Sequence, residues 1–77
     1  MSRADDLIQG IRESLALIRE YEGIWRLSAD PKEKARCRRE IGEQRELIHN
    51  SLDELHALEV EPPGDLLRAV GLSLIHI

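Results

Sequence analysis

Along the first third of the chain, apolar residues recur at three- and four-residue steps: Leu7, Ile8, Ile11, Leu15, Ile18, Tyr21 and Trp25. That spacing draws one apolar stripe on an α-helix. Arg12, Glu13, Arg19, Glu20 and Arg26 fall on the wet side. Ser2 can cap the start, with Asp5 in a capping-box-like position three residues on. The pattern predicts a first helix over about 3–27.

The stripe breaks at Ser28-Ala29-Asp30-Pro31. Asp30 is a good N-cap, and Pro31 at the first helical position gives up only a hydrogen-bond donor that had no partner. Glu33, three residues after Asp30, can close a capping box back onto it. A second stripe follows: Cys37, Ile41, Ile48, Leu52 and Leu55, flanked by Leu47 and Leu58 and interrupted by Gln44 and Ser51. It predicts a helix over about 31–58, stopped by Glu61-Pro62-Pro63-Gly64. Arg36 with Glu40, and Arg39 with Glu43, are spaced for i,i+4 ion pairs of about 0.2–0.5 kcal/mol each.

Two long helices joined by a short turn pack as an antiparallel hairpin. The expected fold is therefore all-α, a coiled-coil-like two-helix hairpin over 1–59. A Pro/Gly linker follows at 60–64. A short helix can start at Asp65 and end at Gly71, either folding back or opening a following domain. Gly10, Gly23 and Gly42 sit inside the long helices. They either permit close helix approach or are tolerated weak spots of about 1 kcal/mol each.

Ile11, Ile18, Tyr21, Trp25, Ile41, Ile48, Leu52 and Leu55 are the expected core or interface positions. Tyr21 and Trp25 are the only aromatics and are large for a two-helix seam. They call for a third surface, from a second copy or a neighbouring domain. Trp25 is expected to anchor the core, its truncation to Ala costing about 3–5 kcal/mol if the ring is buried.

The chain has 77 residues, 34% of them charged, and one cysteine. That allows one small domain without an internal disulfide, and a modest core. A formal charge of -4 argues against general nucleic-acid binding. No basic segment precedes an apolar run, and the apolar stretch from Leu66 is too short to span a bilayer. A cytoplasmic protein with protein partners is expected, with neither nucleic acid nor membrane among them. It would be a homo-oligomer or be packed on a neighbouring domain.

Candidate chemistry is sparse. Cys37 lies among Lys34, Arg36, Arg38 and Arg39, and neighbouring cations lower a thiol pKa. It also lies on the apolar stripe, where a half-buried packing residue is expected. His49, Asp53 and His56 share one helix face, a ligand set some metals accept. That face points away from the stripe, so an exposed polar ridge is the expected reading. The acids are spread along solvated faces, unlike the paired carboxylates that acid/base catalysis needs. No GxGxxG or GxxxxGK[ST] loop is present. No catalytic residue, metal site or cofactor is expected.

Charge patterning says more. The segment 32–39 holds five basic residues against Glu33, while 53–65 is acidic with no basic residue. The second helix is thus charged against its own macrodipole. Either two hairpins pair antiparallel, basic end to acidic end, or the basic segment is solvated or meets Glu20 and Glu22 across the hairpin. Lys32, Arg36 and Arg39 are the candidate charged interaction face.

Leu72-Ser73-Leu74-Ile75-His76-Ile77 reads back into CTG TCT CTT ATA CAC ATC, the transposon-end adapter of common sequencing libraries. These six residues are expected to be a read-through artefact, with the natural chain continuing past Gly71; the alternative is a native apolar tail.

The stretch around the turn carries Tyr21-Glu22, Leu27-Ser28, Asp30-Pro31, Glu33-Lys34, Arg36 and Glu40-Ile41. In these features it resembles a small effector-associated helical domain of bacterial multidomain conflict and signalling proteins. There such domains sit beside NACHT-type ATPase, TIR, caspase-like or WD-repeat modules. The resemblance implies a homotypic or adaptor interaction linking sensor to effector within a longer protein. It assigns no role to any single residue.

Overall fold

The computed structural model describes residues 2–75, with side-chain surroundings through Leu72. Three helices make up the described residues: α1 (Arg3–Leu27), α2 (Pro31–Ala57) and α3 (Gly64–Ile75). The long pair packs antiparallel into a rod, and the molecule measures 44 × 18 × 18 Å. The core follows the predicted stripes. Ile11 and Ile18 of α1 and Ile48 and Leu55 of α2 are completely shielded from solvent, with Leu7, Leu15 and Ile41 nearly so.

α3 folds back and joins this core through Leu66 and Val70. It packs on α1, and Arg12 reaches Asp65 at 3.7 Å. The helix starts at Gly64, where the Pro63 carbonyl accepts the first N–H bonds, from Leu66 and Leu67. It does not end at Gly71 as expected. Glycine stops a helix by adopting a left-handed conformation, and no glycine here has a positive φ. The chain therefore runs on helically through Leu72–Ile75. His76 and Ile77 of the suspected adapter segment lie outside the described residues.

The turn is built differently from its expected capping box. The Asp30 carboxylate accepts from the Lys32 N–H, as an N-cap should. The Asp30 N–H donates to the Ser28 hydroxyl oxygen at 3.1 Å, so Glu33 has no donor to close onto. Ser28 also ends α1, donating its own N–H to the Ile24 carbonyl. One serine thus links the two helix ends through a local side-chain turn.

α2 stops at Ala57, before the proline pair acts. Val60 donates to the Leu55 carbonyl and Glu59 to the His56 carbonyl, the two bonds of a Schellman cap. The cap places Glu59 at φ 58, left-handed backbone that a residue with a side chain adopts at a cost. Val60 then packs against the core cluster to which Leu55 belongs.

The internal glycines do not mediate close approach. A Cβ built at Gly10, Gly23 or Gly42 meets nothing within 4 Å. Within the hairpin their effect is on the helix backbone alone. Two opposite substitutions should therefore both stabilise the fold. Gly42→Ala should add about 0.5–1 kcal/mol by restricting the unfolded chain. Glu59→Gly should add about 0.5–1 kcal/mol by relieving left-handed strain. Urea melts of each variant measure both, and a loss of stability in either would contradict the backbone account.

Candidate interaction face

The expected core positions separate in three dimensions. Ile11, Ile18, Ile41, Ile48 and Leu55 are buried, while Tyr21 and Leu52 are half-buried against the cluster. Trp25 is not in the core. The residue is 36% exposed and lies at the loop end of the seam. Periodicity aims it inward, but the rod ends there and nothing lies beyond to cover it. The Lys34 ammonium sits over its ring, 4.8 Å from the centroid. The pair is a cation–π contact across the hairpin turn.

Cys37 is completely shielded from solvent, deeper than the half-buried position expected. His49, Asp53 and His56 are all exposed, and no group of potential metal ligands comes together among the described residues. No helix among the described residues is long and apolar enough to cross a membrane.

Lys32, Arg36 and Arg39 are exposed. The expected pairs Arg36–Glu40 and Arg39–Glu43 do not form within 4.0 Å, and Glu22 turns to Arg26 at 3.9 Å, not to the basic segment. Exposed i,i+4 pairs gain too little to hold long side chains in one geometry. The start of α2 therefore keeps its positive charge outward.

One ion pair was not foreseen. Arg3 at the start of α1 donates through Nε to Oε2 of Glu54, near the end of α2. It joins residues far apart in sequence, so one-dimensional spacing carried no signal for it. It also orients the molecule. From Arg3, seven-residue steps along α1 reach Gly10, Leu17 and Ile24; from Glu54, they run back along α2 to Leu47 and Glu40. Residues seven apart stay nearly aligned on a helix. The pair therefore shows that these two lines flank the same side of the seam. Asp65 instead meets α1 at Arg12, beside Ile8 and Leu15 on the other flank.

The Arg3 side is thus the flank opposite the α3 contact. It carries Leu17, 38% exposed, and Leu47, 52% exposed, with Tyr21 and Ile24 half-buried beside them. Leu58, four residues beyond Glu54, extends the strip and is also exposed. A single exposed leucine needs no explanation, but several exposed on the one flank of a rod that α3 does not cover point to a contact surface.

Trp25→Ala should cost about 2–3 kcal/mol, the sum of a partly covered ring and a surface cation–π contact. Ile18→Ala should cost about 2–5 kcal/mol. Chemical denaturation ranks the two, and the reverse order would make Trp25 the anchor after all.

The hydrogen bond from Arg3, helped by its charge, holds the Glu54 carboxyl below its ordinary value of 4.5. A lowered carboxylate stabilises the fold above its unfolded value, and that contribution is lost as pH falls through the folded value. Both groups are exposed, so the contribution is small. Carboxyl titration by NMR should find Glu54 below the ordinary glutamate range, and Arg3→Gln should return it there. A Glu54 unaffected by Arg3→Gln would contradict the pairing. Comparison of the chain with protein-family models, curated protein sequences and solved structures finds no match.

Proposed function

We propose that this chain is a non-catalytic protein-interaction module. In this reading it serves as an adaptor at the N-terminal end of a larger bacterial signalling or defence protein in the cytoplasm. The observation that carries it is the set of exposed leucines, Leu17, Leu47 and Leu58, on a hairpin whose other flank α3 packs against. A partner surface laid there would cover apolar area that the chain leaves wet.

Three further features support the reading. The acidic and basic side chains outside the strip are spread along exposed helix faces of a narrow rod, the form of a docking surface more than of a catalytic cleft. The positive start of α2, with Lys32, Arg36 and Arg39 outward, can select a partner by charge. The residues around the turn, Tyr21 to Ile41, resemble the effector-associated domains that act as such adaptors.

The adaptor reading requires more protein after this module. Long-read sequencing of the source DNA across codon 71 tests it. The frame should continue past Gly71 into a further domain in place of Leu72–Ile77. A frame that encodes those six residues and then stops would overturn the adaptor reading in favour of a stand-alone, self-associating structural hairpin.

A further inference from the structure

We propose that the occupant of the open strip is a second copy of this chain, laid antiparallel across it. The proposal rests on the interaction-module reading and names its partner and geometry.

A symmetric dimer requires a surface that complements itself under a two-fold rotation. This strip does so in three respects. The first is charge. Arg36 and Glu54 are eighteen residues apart on α2, five helical turns, so they lie on one line of the helix. Turning a second copy end over end lays α2 on α2 with the basic start of each over the acidic end of the other. Arg36 of each copy then meets Glu54 of the other, where Arg3 already waits, giving a three-membered charge cluster at each end.

The second respect is shape. Gly10 and Leu17 lie seven residues apart on the same line of α1. The two-fold axis that exchanges Gly10 and Leu17 between copies crosses α1 midway between them. The contacts Trp25–Lys34 and Arg3–Glu54 fix which residues of α1 and α2 stand side by side. By that register the same axis crosses α2 midway between Arg36 and Glu54, to within about one residue, or roughly 1.5 Å. A single axis therefore satisfies both helices. It places Leu17 of each copy over Gly10 of the other, where a Cβ meets nothing within 4 Å. The leucine enters the space that the glycine leaves.

The third is pitch. The seven-residue lines on both helices match the repeat that lets straight helices pack at a shallow angle along their length. Two hairpins joined this way form a four-helix layer pair with each α3 outside; Leu17 lies on Gly10, and the two Leu47 side chains flank the axis about 6 Å apart, each beside Glu43 of the other copy.

The opposite arrangement, with rods parallel, would lay α1 on α2 and leave Arg36 and Glu54 at opposite ends of the interface. It gains neither the charge match nor the leucine-over-glycine fit.

The test combines mass and distance. Sedimentation equilibrium of the 77-residue chain should show a monomer–dimer equilibrium whose dissociation constant rises with salt. Leu17→Glu should abolish the dimer and leave helicity by circular dichroism unchanged, since the side chain is exposed. Arg36→Glu should raise the dissociation constant at least tenfold. A spin label on Ala29→Cys, in a Cys37→Ala background that keeps its helicity, reports orientation. The loop-to-loop distance should approach the 44 Å length of the rod. A separation of about 10–20 Å would mean parallel rods and would overturn the proposal. So would a dimer that survives Leu17→Glu, or a folded chain that stays monomeric up to about millimolar concentration. A monomer would leave the interaction-module reading standing, because that reading is decided by the reading frame beyond Gly71.

Discussion

Everything in this molecule depends on the seam between α1 and α2. Ile11, Ile18, Ile48 and Leu55 are shut off from water there, each contributing about 1.5–3 kcal/mol of burial. Most helical stability in a protein comes from packing an apolar face, and a chain of this size has few other places to bury apolar surface. α3 adds Leu66 and Val70 to the same cluster and builds no core of its own. The consequence is a rod with a narrow apolar spine, which covers one flank with α3 and leaves the other to solvent.

The ends of the helices fix how the two halves of the spine meet. Ser28 and Asp30 hand the chain from α1 to α2 with the N–H groups of Ser28, Asp30 and Lys32 satisfied. Trp25 with Lys34 pins the loop end, and Arg3 with Glu54 pins the open end. These contacts are individually weak. Their importance is in register: they determine which residues share a flank, and so which exposed apolar residues lie on one side of the rod.

Much of this architecture is legible in the sequence because it rests on periodicity and on one strong local signal. The stripes through Ile11 and Ile18, and through Ile41, Ile48 and Leu55, point inward without tertiary knowledge. Asp30-Pro31 marks the start of α2 by covalent geometry. Periodicity reports direction but not depth, which is why Trp25, aimed at the seam, still ends at its rim. A glycine reports a stop only if the backbone turns left-handed there, and Gly71 does not, whereas Glu59 does with no glycine to announce it. The expected capping box failed because Ser28 competes for the same N–H, a choice between two good acceptors that spacing cannot decide. On the candidate face, the outward charge of Lys32, Arg36 and Arg39 was legible, but the strip was not. Leu17 was absent from the apolar stripe and Leu47 read only as a flank. The Arg3–Glu54 contact, long-range in sequence, was needed to put them on one side.

The central claim is that the seam completes the monomer while the Leu17–Leu47 flank is the site for a second copy of the chain. Methyl NMR on leucine-labelled protein with a soluble paramagnetic probe tests it most directly, read from dilute to concentrated solution. Leu27, 90% exposed and pointing away from the hairpin, is the internal control. The account predicts that Leu17 and Leu47 lose their broadening by the probe as concentration rises, while Leu27 keeps its own and Leu55 stays protected throughout. Leu17, Leu47 and Leu27 remaining equally accessible at every concentration would contradict it.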